Sequence, residues 1–284
     1  MAQAAREAAR GLERGPRWSV ARVGVDLAIA VGLGAVAEIV DRGWVTAGVV
    51  LIIGAFPLHD VLVHGHEAIH GLASRSRGVN ALVLWGTHAL VGMSGRSHRA
   101  FHLDHHRFLG TDDDPERRIH GAGGWLGPVR VVLLSHVLVH RHAWRSPHTR
   151  AGRAAMGVDL CAAALLHAAL VAAVGPRAWA TYLVLPAMFG LPPIAALRAL
   201  TEHLAPRPTD LASTRATAAR RVGQLGWSNI DHHVEHHLCP QVPWHHLPAL
   251  RARLAPLYAQ RGVEVDHGLF RTAFRIWLDG SAGH

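Results

Sequence analysis

Lysine is missing from this 284-residue chain; every one of its 29 basic side chains is an arginine. Cysteine is almost missing too, with Cys161 inside an apolar block and Cys239 beside a histidine-rich stretch. That leaves no disulfide framework and no Cys-x-x-Cys pair for zinc or an iron–sulfur cluster. Charged residues make up only 17% of the chain. The arginines fall between apolar blocks and lack an interleaved aromatic pattern, which argues against nucleic acid despite the formal charge of +9. They suit loops that face anionic lipid headgroups. No signal-type cleavage site follows the Arg-rich residues 1–19, so these are expected to form a retained cytoplasmic tail, with residues 20–284 as a single domain.

Half of the residues are hydrophobic, and they fall in blocks. Val20 to Val40 is about 21 residues long, enough at roughly 1.5 Å per residue to cross a bilayer core of about 30 Å. Asp26 and Glu38 lie near its ends, where a carboxylate can reach the interface. A short turn at Asp41–Gly43 leads into a second block from Trp44, an expected interfacial anchor, to about Val63. Val79 to Met93 and Trp125 to His140 are too short to span and are expected as interfacial or peripheral helices. Met156 to Val174 and Ala178 to about Ala199 form a second pair of spans, separated at Gly175-Pro176-Arg177. Pro186 and Pro192-Pro193 should kink or break the last of these. Arginine is dense in 1–22, 64–155 and 198–284, whereas the two hairpin turns carry only Arg42 and Arg177. The positive-inside rule then puts both termini and all the polar segments on the cytoplasmic side of the cell membrane.

Against this scarcity of other chemistry stand 24 histidines. Asn229 to Leu238 reads N-I-D-H-H-V-E-H-H-L, and a helix there sets His233, His236 and His237 at i, i+3 and i+4 on one face. His102, His105 and His106 repeat the spacing, and His66 with His70 form H-E-x-x-H. Neutral imidazole is the commonest protein ligand for transition metals, and eight such ligands exceed what one ion holds. Two metals are expected. H-E-x-x-H alone is also the zinc-protease helix with Glu67 as base, but that reading leaves the other two clusters idle. Asp104 and Glu235 fall between ligands; either can orient an imidazole N–H or lie on a solvated face, the favoured reading for Glu235. Asp112 to Asp114 read chiefly as a capped loop.

H-E-x-x-H, H-x-x-H-H and H-x-x-H-H, in this order around two apolar hairpins, resemble the integral-membrane fatty acid desaturase and hydroxylase superfamily. Gly110-Thr-Asp-Asp-Asp-Pro115 is similar to the family's G-T-x-x-D-P continuation. Arg198-Ala-Leu-Thr-Glu202-His203 with Thr214-Arg215 resembles the R-x-x-x-E-H and T-R pair of bacterial acyl desaturases. Asn229 to Leu250 resembles the N-x-x-x-H-x-x-H-H-L-x-P-x-V-P signature. The resemblance implies an all-α integral membrane enzyme with four transmembrane helices in two hairpins and a cytoplasmic helical cap. It implies a non-haem di-iron site (two Fe) held by His66, His70, His102, His105, His106, His233, His236 and His237, with His203 as an additional ligand. Asn229 matches a position that acts through water, though a helix N-cap is an equal reading. Glu67, Asp104 and Glu202 are supporting candidates beside these ligands.

The expected reaction is O2-dependent desaturation of a fatty acyl chain, or its hydroxylation. An unactivated C–H bond needs a redox metal rather than a Lewis acid. No flavin, haem or ferredoxin-type cysteine motif is present, so an external electron donor, ferredoxin-like or similar, is expected on the Arg-rich face. Membrane lipids and the acyl or lipid substrate complete the partners, without nucleic acid. The alternative is a carotenoid ketolase or hydroxylase, which shares the Gly110–Pro115 and Val242–Trp244 elements. A metal transporter is the alternative from another class; it would place its polar ligands within the spans, which here hold little beyond His167.

Overall fold

The computed structural model describes residues 2–12, 17–40, 43–116, 127–146, 152–203, 211–218 and 227–281. The described chain is helical apart from two strands of two residues each. It divides into two units. One comprises residues 18–103 and 134–194; the other comprises 1–17, 104–133 and 195–284.

The first unit holds α2 (Ser19–Val40), α3 (Trp44–Ile69), α4 (Arg77–Ala89) and α7 (Arg153–Trp179) with most of its continuation. Two further helices, α5 (Gly95–Phe108) and α6 (Gly127–Arg145), run across the division. Three helical runs among the described residues are long and apolar enough to cross a membrane: Ser19–Val40, Gly48–Ile69 and Arg153–Glu202. Val31, Ile39 and Leu165 are left 73, 85 and 71% exposed, as lipid-facing side chains must be. The third run is 50 residues long, far beyond the roughly 20 that a bilayer needs. It breaks at Gly175, whose φ of 82° and ψ of 157° no helix contains. Beyond the break, π-helical turns at Ala180–Val184 and Pro186–Gly190 lead into α8 (Leu191–Glu202). Pro186 lacks an N–H to donate, which accounts for the widened turns on either side of it.

Asp26 is turned inward rather than exposed at the helix surface. It is 2% exposed, and its Oδ1 lies 3.3 Å from Arg22 Nε. The same guanidinium reaches Asp60 Oδ2 on α3 at 2.7 Å. Inward-facing, paired charge is the usual solution for ionisable groups at membrane depth. Glu38 accepts a 2.6 Å hydrogen bond from the Tyr182 hydroxyl. The anchoring role expected of the Trp44 side chain, and turn residues Asp41 and Arg42, lie outside the described residues.

The second unit contains α1 (Ala2–Ala9), β1 (Thr217–Ala218), α9 (His233–Leu238), α10 (Leu247–Arg261), β2 (Asp266–His267) and α11 (Leu269–Ser281). Its core is built around Val234, Cys239, Val242, Leu247, Leu250 and Leu254. The N-terminal stretch belongs to that core. Ala5 and Ala9 of α1 are 1% and 2% exposed, the Cys239 thiol donates to the Ala5 carbonyl at 3.3 Å, and Arg253 Nη1 donates to the carbonyls of Ala8 and Arg10. An eight-residue helix cannot stand alone in water, so this packing is what makes α1 a helix. β1 and β2 pair in parallel with Thr217 opposite Asp266, and Arg215 reaches Asp266 at 3.1 Å.

Candidate metal centre

In the first unit, α3 presents His66 and His70 one turn apart, and α5 brings His102 to them. His102 Nε2 lies 2.9 Å from His66 Nε2 and 3.1 Å from His70 Nε2. The three rings meet edge-on, with centroids 4.4 to 5.1 Å apart. A single N–H serves one acceptor well, so three converging Nε2 atoms are poorly explained by hydrogen bonding. They are what a shared cation demands. The setting of α3 against α4 depends on Gly65, between His64 and His66: a Cβ there would come within 2.3 Å of Thr87 Oγ1 and 2.9 Å of His88 Cε1. His88 is buried and held by its Nδ1 at 2.8 Å from the Leu84 carbonyl oxygen, and its Nε2 is 2.6 Å from His98 Nδ1. Burial first, and then the neighbouring His98, push the pKa of His88 down to about 3. His98 in turn packs its ring 6.1 Å from that of His102.

The second unit holds six more imidazoles. His105 and His106 come from α5, His203 follows α8, and His233, His236 and His237 come from α9. His233 Nε2 lies 2.8 Å from His203 Nε2 and 3.0 Å from His237 Nε2. His106 Nε2 is 3.1 Å from His236 Nε2. Donor atoms of His105, His203 and His237 lie within 4.8 Å of one another, as do those of Glu202, His203 and His233. Burial and the mutual proximity of the rings hold His233 and His237 well below the ordinary imidazole pKa. His106 is pushed down to about 4, again by burial first. These rings are neutral at physiological pH, the form that binds metal.

His105 goes the other way. Burial opposes its charge, but Glu116 and Asp114 outweigh burial and raise its pKa. Its Nδ1 is 2.8 Å from Asp114 Oδ1, and its Nε2 is 3.6 Å from Glu116 Oε2. A carboxylate on Nδ1 fixes ring orientation and tautomer in the way that supports a metal-binding Nε2. Asp114 is therefore more than part of a capped loop. Glu202 is held by Arg198 through bonds of 2.8 and 3.0 Å, and its Oε2 stands 3.4 Å from His233 Nε2.

The back of α9 departs most from expectation. Glu235, read as a solvated face, is 0% exposed. Arg251 of α10 grips it with Nε and Nη2 at 2.7 and 2.9 Å, and the Tyr258 hydroxyl donates to it at 2.5 Å. Burial works to raise the pKa of Glu235, but the Arg251 bonds and charge prevail and hold it below the ordinary value. Burial, with the adjacent carboxylate, drives Tyr258 upward. Arg251 also donates to the Thr217 carbonyl at 2.6 Å. A six-residue helix has little stability of its own; this clamp fixes its rotation and turns its histidine face the other way.

All nine expected ligands thus fall in two groups of converging nitrogens, three in the first unit and six in the second. Of the supporting candidates, Glu202 touches a ligand. Glu67 is buried on α3 next to His66. Asp104 is half-buried and by helical spacing lies opposite His102 and His106. Asn229 does not cap α9: residue 232 precedes the helix without a side-chain cap. Asn229 adopts a left-handed φ of 54° and donates from Nδ2 to the Trp244 carbonyl at 3.4 Å. Asp114, Glu116, Arg251 and Tyr258 were not among the expected site residues. Their signal was faint, a carboxylate a few residues past a histidine box and an arginine on the next amphipathic helix. A further buried trio, Asp26, Asp60 and His64, has donor atoms within 4.8 Å, but there Arg22 already supplies the positive charge.

The donor set, converging imidazoles with one carboxylate beside them and another orienting His105, fits divalent transition metals of the iron and zinc type. Apolar helices long enough to cross a membrane, joined to two polyhistidine groups, define a membrane protein with a candidate metal centre. Residues 42–268 match the family model described as fatty acid desaturase, and the chain belongs to that family. It is also similar to a beta-carotene ketolase of Paracoccus sp. (strain N81106 / MBIC 01143), with 29% identity over 229 residues, covering 77% of this chain and 80% of the relative.

Proposed function

We propose that the chain is an oxygen-dependent di-iron enzyme that oxidises an unactivated C–H bond of a fatty acyl chain, forming a double bond or an alcohol. The observation that carries this reading is the convergence of nine imidazoles in two groups, with α5 supplying His102 to one and His105 and His106 to the other within a single turn. That division supports two ions, one for each group. The ligands would be His66, His70, His102, His105, His106, His203, His233, His236 and His237. When bound, an iron pair supplies the activation of dioxygen that no side chain here can perform.

The remaining work is the protein's own. Burial keeps His106, His233 and His237 neutral and so competent to bind metal without a proton to displace. Asp114 fixes His105, while Arg198 holds Glu202 beside His233, where the carboxylate can accept a proton or fill a coordination position. Breaking the 50-residue run at Gly175 supports two passes there, and so four spans in two hairpins. Under that topology both termini and the ligands share the cytoplasmic side. Electrons would come from an external carrier, for which the all-arginine surface offers a docking charge.

A second reading, oxidation of a carotenoid, is favoured by the beta-carotene ketolase relative and by the shared Gly110–Pro115 and Val242–Trp244 elements. Lipid and pigment profiles of cells with and without the gene separate the two. New unsaturated or hydroxylated acyl chains are expected. Oxygenated carotenoids with unchanged acyl chains would select the second reading, and no change in either pool would refute both.

A further inference from the structure

α11 is apolar on two sides. Leu269, Ala273 and Ile276 point inward and are 8, 6 and 7% exposed, while Phe270, Phe274 and Leu278 are 74, 60 and 47% exposed. The exposed three follow each other at i, i+4 and i+8 and therefore form one stripe. Arg271 and Arg275 border one edge of that stripe on the helical wheel, between it and the inward face. Arg271 donates to the His267 carbonyl and Arg275 to Asp266, which holds both side chains near the helix.

We propose that this stripe docks α11 onto an anionic lipid surface, with the phenyl rings among the acyl carbons and the arginines at the headgroups. An apolar face bordered by arginine is the pattern of a helix that lies in a membrane interface. At about 200 Å² for a phenylalanine and somewhat less for a leucine, the stripe exposes on the order of 350 Å². A stable dimer needs about 800 Å² per partner, so a second copy is poorly served by it. A bilayer requires no matching partner surface. It is also always at hand, because the apolar spans of the same chain tether it there at high effective concentration. Arginine beside the stripe adds attraction for anionic headgroups in particular.

The test uses the full chain in nanodiscs at one copy per disc, in a Cys161→Ser background that leaves only the buried Cys239. Nitroxide labels are placed at Phe274→Cys and, in a second variant, Phe270→Cys; Gln260→Cys on α10, an exposed position, is the aqueous control. In discs containing phosphatidylglycerol, labels at 274 and 270 should lose collisions with a water-soluble nickel reagent and gain them with oxygen, while 260 stays open to nickel. Arg271→Glu should reduce that protection in anionic discs. Two results overturn the proposal: labels at 270 and 274 as nickel-accessible as 260, or protection that appears only when two copies share a disc. Neither depends on the metal or on the reaction.

Discussion

Replacing Arg251 with methionine tests the clamp behind α9 directly. The substitution keeps most of the side-chain volume and removes the guanidinium that grips Glu235, which is fully buried. Breaking a buried ion pair from one side costs about 3–5 kcal/mol, because the remaining charge is left uncompensated. At 1.4 kcal/mol per factor of ten, amide exchange in residues 229–238 should accelerate from about a hundredfold to a few thousandfold. Hydrogen exchange followed by mass spectrometry on the protein in nanodiscs reads this segment separately from the spans. The variant should also lose bound metal, since three ligands sit on the loosened helix. The double variant Glu235→Gln/Arg251→Met removes both charges and should recover most of the protection. What remains is about 1–3 kcal/mol for the Thr217 carbonyl left without its donor. Exchange within about twofold of the parent in the single variant, or a double variant no better than the single, would refute the argument.

Four other outcomes are expected. Purified protein should carry about two irons per chain by elemental analysis; stoichiometric zinc without iron would oppose the di-iron reading. His105→Ala and His236→Ala should each abolish turnover and lower metal content while the protein still inserts, and full activity in either would reject that residue as a ligand. Asp114→Asn keeps the contact to His105 but loses the carboxylate, and should cost about 10- to 100-fold in metal affinity or activity. Because the folded-state pKa of Glu235 is depressed, its stabilisation is fully present above the unfolded carboxylate value of about 4.3 and is lost as pH falls through the folded value. Exchange in α9 should accordingly rise below about pH 4 in the parent, with this component absent from the double variant.

Much of the fold was legible because hydropathy blocks and histidine spacing are local signals. The spans at Ser19–Val40 and Gly48–Ile69 and the break at Gly175 follow from run length and one glycine-proline pair. The histidines that converge were picked out by i, i+3 and i+4 spacing together with the family resemblance. Positions decided by distant packing were not legible. Glu235 looked solvated because its counter-charge, Arg251, lies sixteen residues on, and nothing local marks the pairing. Asp26 looked like an end-of-span carboxylate, since its setting beside Arg22 and Asp60 exists only once α2 lies on α3. Asn229 carried two readings, and its left-handed backbone removed the capping one. The arginine-rich leader gave no sign that alanines at 5 and 9 would become core.

The contact between Cys239 and Ala5 joins residues 234 positions apart, and it bears on how the protein is made. During synthesis α1 has nothing to pack on until the segment around α10, more than 200 residues later in the chain, has been made. The last histidine box then closes against residues made long before it.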